Sequence, residues 1–297
     1  MPEIPRSSRS VPPARWPCFG PWQTVALLGW GTWSRVYRAR PTAAPAHGPA
    51  DYAVKVAQAE GAAEQEWARQ LLIREAHLGR KISHPNLTCV LASGLSASPS
   101  YLVMPFIQGR TVESALSQPG RLAIPRALRI IRQCAAAATE LHRHDWLHGD
   151  IKPSNIWLGL DGHAVLLDLG LARRPGEPEE RQPRLLAGTP DYLAPEMFSS
   201  VLEVGPSADI YSLGGTLYRM LTGRPPFVCA TGKELVEAHL HQAPPDPRRF
   251  QPCVSPALAR LMLRMLAKDP VDRPTPEALV RELIELEIAT FEQRFVA

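Results

Sequence analysis

Residues Leu147 to Asn155 read LHGDIKPSN, which puts the carboxylate of Asp150, the ammonium of Lys152 and the amide of Asn155 within six residues. That set of groups suits chemistry on a phosphate. A second chemical signal is Lys55, in the otherwise apolar run YAVKV. A lysine there is costly unless its ammonium finds partners, and Glu75, on the helix expected next, is the natural one. Taken alone, Lys55 also fits an edge strand whose charged tip reaches solvent. A third signal is LGWGTWSRV, where Gly29 and Gly31 fall in a turn between two strand-like runs. Without a Cβ, such residues let backbone N–H groups approach phosphate oxygens closely. An ordinary hairpin uses glycines in the same way.

These groups need a frame, and the chain is long enough to supply one. With 297 residues, 45% of them hydrophobic, it can bury one large core or two lobes of ordinary size. The longest apolar runs are too short to cross a bilayer, and no signal peptide pattern opens the chain. The five cysteines are scattered with no Cys-x-x-Cys pair, which fits reduced thiols in a cytosolic enzyme better than a disulfide framework or a zinc site. A net charge of +4 with no Lys/Arg block gives nucleic-acid binding little support. Residues 1–20 carry five prolines and read as a disordered Pro/Ser/Arg-rich tail.

From Trp22 the pattern changes. TVALLGWGTWSRVYRAR predicts two strands around a turn and DYAVKVAQ a third, with a loop over 41–50 between them. AAEQEWARQLLIREAHLGRKI has helical spacing, with Trp67, Leu71, Leu78 and Ile82 roughly on one face. LTCVLASG and SYLVMPF predict two more strands. After IQGRT the character turns helical, with helices expected over 125–144, 206–222, 232–242, 256–267 and 276–294. NIWLG and HAVLLDL predict a hairpin across Asp161 and Gly162. A sheet-rich half followed by a helix-rich half is an α+β, two-lobed architecture.

On these motifs the chain resembles the Hanks-type (eukaryotic-like) serine/threonine protein kinases, soluble bacterial members in particular, from about Trp22 to about Leu286. The resemblance implies a catalytic domain over 21–290. Its N-lobe (21–104) would hold a five-stranded sheet and one helix, followed by a hinge (105–109) and a mostly helical C-lobe (110–290). It implies ATP and Mg²⁺ as cofactors, with Mn²⁺ as a substitute. Asp150 would accept the proton of the substrate hydroxyl, Lys152 would meet the γ-phosphate, and Thr189 of GTPDYLAPE would bridge the two. Lys55, aligned by Glu75, would hold the α- and β-phosphates. Asn155 and Asp168, the latter in LLDLGLA with Leu169 in place of the usual Phe, would bind the metal, and such oxygen ligands suit Mg²⁺. Leu28, Gly29, Gly31 and Val36 would cover the nucleotide, although Ser34 stands where a third glycine is usual. Ala53, Met104 and Trp157 would line the adenine site, and Pro105 and Ile107 would bond the base through backbone groups. Glu196 would pair with Arg273, and Asp209 would hold the backbone around Gly149.

Gly149 stands where protein kinases usually carry Arg, a feature shared with small-molecule phosphotransferases of the antibiotic-kinase type. Lys152, Thr189, Asp209 and Arg273 nonetheless belong to the protein-kinase pattern, and the full complement of Lys55, Glu75, Asp150, Asn155 and Asp168 argues against an inactive scaffold. In many relatives that Arg binds a phosphorylated residue. Here the segment LARRPGEPEERQPRLLA between Gly170 and Gly188 has no Ser, Thr or Tyr to phosphorylate. The two absences together imply activity that does not depend on phosphorylation of this segment, with autophosphorylation falling instead on Ser7, Ser8 or Ser10. Leu171 implies a preference for Ser over Thr acceptors. Gly79 and Leu169 make a thin contact beside Glu75, so an activating protein partner at that helix is expected. The implied location is the cytoplasm, with a protein substrate and no membrane span.

Overall fold

The computed structural model describes residues 16–118, 120–177, 190–198 and 203–292. Thr189, residues 1–15 with Ser7, Ser8 and Ser10, and most of the segment before Gly188 lie outside the described residues. The chain forms two compact units, one comprising residues up to Ala76 together with Val90–Ile107, the other His77–Cys89 and everything from Gln108. The expected lobes were continuous in sequence; the units instead assign residues 77–89 to the second. Within that unit Thr88 N donates to Leu166 O at 2.9 Å, and the Asn86 side chain donates to Gln133 Oε1 and to Ala164 O at 2.8 Å each. These bonds satisfy a buried loop that could otherwise have continued as strand.

The first unit is an antiparallel sheet of β1 (Cys18–Phe19), β2 (Trp22–Trp30), β3 (Ser34–Pro41), β4 (Tyr52–Ala57), β5 (Ala92–Gly94) and β6 (Tyr101–Pro105), in the order β1-β2-β3-β4-β6-β5. Five strands match the expectation, though β5 is shorter than 87–94. The sixth, β1, lies in what the composition marks as tail: Cys18 pairs with Gln23 and Phe19 with Trp22. Its aromatic residue supplies the reason, since Phe19 and Trp22 pack on the cluster of Tyr37, Val54, Val56, Tyr101 and Val103. The alternate residues of β4 and β6, Ala57 and Leu102, face the other way and meet Ala68, Leu72 and Ala76 of α1 (Ala62–Lys81). The apolar stripe of α1 therefore runs through Ala68, Leu72 and Ala76, rotated from the face read from the sequence. Trp67 and Leu71 are only half-buried, while Leu78 and Ile82 join the core of the second unit.

The second unit carries a three-stranded sheet of β7 (Gly109–Thr111), β8 (Ile156–Gly159) and β9 (Ala164–Leu166). The hairpin β8–β9 is as expected, with Gly162 at φ +82° in its turn. The sequence gives no sign of β7, which is three residues long and precedes the short helix α2 (Val112–Leu116). The main helices are α3 (Ile124–Arg143), α4 (Pro206–Thr222), α5 (Gly232–His241), α6 (Pro256–Met265) and α7 (Pro276–Glu292), each within a few residues of its expected span. Their ends carry ordinary signals. Proline occupies the first turn of α3, α4 and α6, and Thr231 and Ser255 accept from the backbone N–H groups of Glu234 and Leu258. Gly223, at φ +80°, closes α4. Around them one core gathers Leu128, Ile131, Leu141, Tyr211, Leu217, Met262 and Leu283.

Candidate active site

In the first unit Lys55 is the fourth of the six residues of β4, between the buried Val54 and Val56. Its Nζ donates to Glu75 Oε2 at 2.6 Å, so the costly ammonium has a carboxylate partner brought by α1. Glu75 shares the inward face of that helix with Leu72 and Ala76. Beside it, Val36 pairs with both Gly29 and Lys55 across β2, β3 and β4. At Gly29 and Gly31 a Cβ would meet nothing within 4 Å, and Gly31 N donates to Ser34 O at 2.8 Å to close the turn. The glycine pair thus edges open space. Leu28 is exposed just before it. Ala53 pairs with Met104 and Tyr52 with Pro105, so these residues share one strand pair, and Ile107 follows two residues after its end.

In the second unit Asp209, in the first turn of α4, organises the loop before Asp150. It accepts from His148 N at 2.8 Å and Gly149 N at 3.0 Å, and His142 Nε2 lies 2.8 Å from its Oδ2. Burial alone would raise its pKa; the bonds from His142 and the Gly149 backbone, with the nearby His148, hold it below the usual carboxylate value. His148 in turn accepts from Asp150 N at 3.2 Å on Nδ1, leaving Nε2 to donate to Leu167 O at 3.0 Å. The histidine therefore ties the loop to the residue before Asp168.

Asp150 is the centre of a small charged set. Lys152 Nζ lies 2.9 Å from its Oδ2, and Asn155 Nδ2 donates to Oδ2 at 2.7 Å and to the Asp150 carbonyl at 2.8 Å. Burial nonetheless raises its pKa, against the lowering effect of Lys152 and with help from the negative charge of Asp168. Both Asn155 bonds use the amide nitrogen, which leaves its oxygen to face other ligands. Asp168 holds a left-handed backbone at φ +67°, uncommon for a residue with a side chain. Its Oδ1 accepts from Gly170 N at 3.3 Å, a local bond of the kind that makes this conformation tolerable for Asp. Among the described residues no group of three or more His, Cys, Asp or Glu gathers as a protein-only metal cage. One amide oxygen and one carboxylate are a donor set that fits Mg²⁺, which keeps positions for phosphates and water. Trp157 sits half-buried on β8.

The same unit contains the expected pair of Glu196 and Arg273. Two parallel bonds of 2.6 and 2.8 Å join them, and Arg273 also donates to the carbonyls of Ala267, Ser207 and Lys268.

Gly149 carries information that the sequence did not reveal. Its φ is +75°, and a Cβ there would lie 2.9 Å from the Leu171 carbonyl oxygen. Glycine is therefore suited to the backbone itself, apart from any role in regulation. Three further residues were missed: His142, Asn86 and Arg173. A lone histidine, asparagine or arginine has no spacing signal; only the fold shows each to be buried and engaged.

Comparisons with known proteins identify the class to which these groups belong. The family model for the protein kinase domain matches residues 22–283. Serine/threonine-protein kinase PknH of Mycobacterium tuberculosis (strain ATCC 25618 / H37Rv) is 34% identical over 255 residues, covering 86% of this chain and 40% of that protein. PknB of Mycolicibacterium smegmatis is 31% identical over 261 residues, 86% of this chain and 41% of that protein. PrkC of Bacillus subtilis is 29% identical over 254 residues, 86% of this chain and 38% of that protein. The matched region thus spans about two fifths of these relatives' length. The chain belongs to the protein kinase domain family, and its relatives are serine/threonine-protein kinases.

Proposed function

We propose that this chain transfers the γ-phosphoryl group of ATP to hydroxyl groups of proteins, serine in preference to threonine. The observation that carries this reading is the set around Asp150. Its carboxylate is held by Lys152 and Asn155, on a loop whose backbone is fixed by Asp209. In this reading Asp150 orients the acceptor hydroxyl and takes its proton, and Lys152 offsets charge on the transferred group. Lys55, kept in place by Glu75, binds the α- and β-phosphates, while the backbone at Gly29 and Gly31 approaches them. Met104, Pro105, Ile107, Ala53, Val36, Leu28 and Trp157 position the base. Asn155 and Asp168 would hold Mg²⁺, with Mn²⁺ able to replace it, and the ion would neutralise charge on the phosphates. Thr189, outside the described residues, is assigned in this reading the role of bridging Asp150 and Lys152. Almost all of this work is positioning and electrostatics.

Transfer to a small molecule is the competing reading, since Gly149 occurs there too. Lys152, Asp209 and the Glu196–Arg273 pair favour a protein acceptor, and the intact set of charged groups favours an active enzyme over a scaffold. In this reading activity does not depend on phosphorylation of the segment between Gly170 and Gly188, which contains no Ser, Thr or Tyr. The Lys55–Glu75 pair is closed within the chain, so a protein partner on that helix would tune the pair rather than assemble it. Among the described residues no helix is long and apolar enough to cross a membrane. The cysteines are unpaired, and we place the reaction in the cytoplasm.

The test is incubation with labelled ATP and Mg²⁺, offering a generic protein, an aminoglycoside or choline. Label should enter the protein alone, and Asp150→Asn, Lys55→Met and Asp168→Asn should each lower the rate by at least about 10²–10³-fold. Label in the small molecule, or a variant retaining a tenth of the rate, would remove the corresponding assignment. Matched peptides with Ser or Thr acceptors test the preference.

A further inference from the structure

Two tryptophans stand at the glycine turn, and the fold treats them differently. Trp30, between Gly29 and Gly31, is 75% exposed. Trp33, just past Gly31, is half-buried and packs on the cluster of Ala57, Ala68, Leu72, Ala76, Val90 and Leu102. Ala68, Leu72 and Ala76 belong to α1, the helix that carries Glu75. The indole Nε1 of Trp33 is buried and has no partner. A buried indole N–H ordinarily finds an acceptor, so this ring is held by apolar packing and not by its polar atom.

The backbone of the same residue is tied to α1 through a short relay. Gln58 N, just past β4, donates to Trp33 O at 3.0 Å. On the other side of Gln58 the half-buried side chain of Gln65 reaches across from α1. Its Oε1 accepts from Ala59 N at 2.9 Å, and its Nε2 donates to Ala57 O at 3.2 Å. A carbonyl and an N–H spaced in this way are what a neighbouring strand would bond, so the Gln65 amide takes a strand's place. The turn is fastened to α1 by the Trp33 ring and again by the Gln65 amide. Both fastenings lie within the first unit, as do Lys55 and Glu75.

We propose that Trp33 and Gln65 are positioning residues that couple the glycine turn to the placement of α1, and through α1 to the Lys55–Glu75 pair. The inference rests on the kinase reading, in which the turn and Lys55 hold the phosphates. At Gly29 and Gly31 a Cβ would meet nothing within 4 Å, so the turn has no packing of its own there. Glycine backbone is also the costliest to order, and the flank at Trp33 is what steadies it. Phosphates that settle the turn then settle α1, and α1 held against Lys55 favours phosphate binding in return, because coupling between two sites is reciprocal. Ala53, Met104 and Pro105, which position the base, lie on the β4–β6 pair outside this relay.

The test measures binding of MgATP and of adenosine, by calorimetry, to the whole chain and to three variants. Trp33→Ala should weaken MgATP about tenfold and Gln65→Ala about threefold, with adenosine unchanged in both. Trp33→Phe should bind MgATP as wild type does, because the indole nitrogen has no bond to lose. In the wild type MgATP should also slow amide hydrogen exchange in α1 around Glu75, and Trp33→Ala should lose most of that slowing. Equal losses of MgATP and adenosine binding would reduce both residues to general support of the fold and overturn the proposal. Unchanged MgATP binding in both alanine variants would overturn it as well. Slowing of α1 exchange in Trp33→Ala equal to that in wild type would overturn the coupling. Should Trp33→Ala fail to fold, Gln65→Ala, which removes no ring from the cluster, carries the same comparison. A wild type that binds neither MgATP nor adenosine would overturn the kinase reading itself, so the two failures are distinguishable.

Discussion

Two regions of the second unit handle buried charge in opposite ways. Around α4, the buried charges of Arg273, Glu196 and Asp209 are each answered. Arg273 makes five hydrogen bonds, two of them to Glu196, and Asp209 is bonded to two backbone N–H groups and His142. In the loops at 147–155 and 168–177 the answers are partial. Asp150 is paired yet has its pKa raised by burial, Asp168 and Gly149 hold left-handed backbones, and Arg173 keeps unpaired nitrogens. The first region uses charge to fix a scaffold. The second keeps it incompletely satisfied, which is where reactive groups and ligand sites concentrate. Burial alone does not separate the two, because Arg173 and Arg273 are 3% and 5% exposed. The count of satisfied donors does.

The sharpest way to break this contrast is to remove one member of the scaffold pair. Glu196→Ala or Arg273→Ala leaves a buried charge without its partner, and each should cost about 3–5 kcal/mol of stability. The measurement is urea denaturation, with the midpoint falling and the slope unchanged. Arg173→Gln should cost far less, since it removes a charge that is already uncompensated. Equal losses for Arg273→Ala and Arg173→Gln would erase the distinction between the two arginines.

A smaller effect is expected at Gly149. A side chain in the left-handed region costs about 1–2 kcal/mol, and a Cβ there would press on the Leu171 carbonyl, a backbone atom with little room to give. Gly149→Ala should therefore lose about 1–3 kcal/mol and slow phosphoryl transfer through the neighbouring Asp150. If the variant matched wild type in both melting and turnover, the glycine would have no local structural role, and the missing Arg would be its whole meaning.

Much of this contrast could not be read from the sequence. Helix spans, the β8–β9 hairpin and the pairing of Lys55 with Glu75 and of Glu196 with Arg273 were legible, because periodicity, turn residues and motif spacing are local or carried by family pattern. What escaped depends on three-dimensional burial. The strand at Cys18–Phe19 forms because an aromatic residue finds a cluster distant in sequence. The stripe of α1 runs through small alanines that carry a weak hydrophobic signal beside Trp67 and Leu71. The left-handed backbone of Gly149 and the two unpartnered nitrogens of Arg173 show only in the fold.

The smallest expected effect concerns pH, and it sets the two aspartates directly against each other. Both start from an ordinary pKa of 3.8. Asp209 is lowered in the fold, so its bonds add stability above pH 3.8, and that stability is lost as the pH falls from there through the folded value. Asp150 is raised, so the unfolded chain releases this proton more readily than the folded one. Its contribution is most favourable below pH 3.8 and is lost as the pH rises through the folded value. At neutral pH the native carboxylate of Asp150 is therefore a burden that the enzyme carries for its chemistry. Asp209→Asn should melt lower than wild type at neutral pH, and the gap should close on acidification. Asp150→Asn should be inactive yet melt slightly higher at neutral pH, and its advantage should shrink as the pH falls toward 3.8, because the asparagine can still accept from Lys152 and Asn155. Melting curves of the three proteins across this range read both slopes. A neutral-pH melting temperature for Asp150→Asn well below wild type would mean that Asp150, like Asp209, belongs to the scaffold.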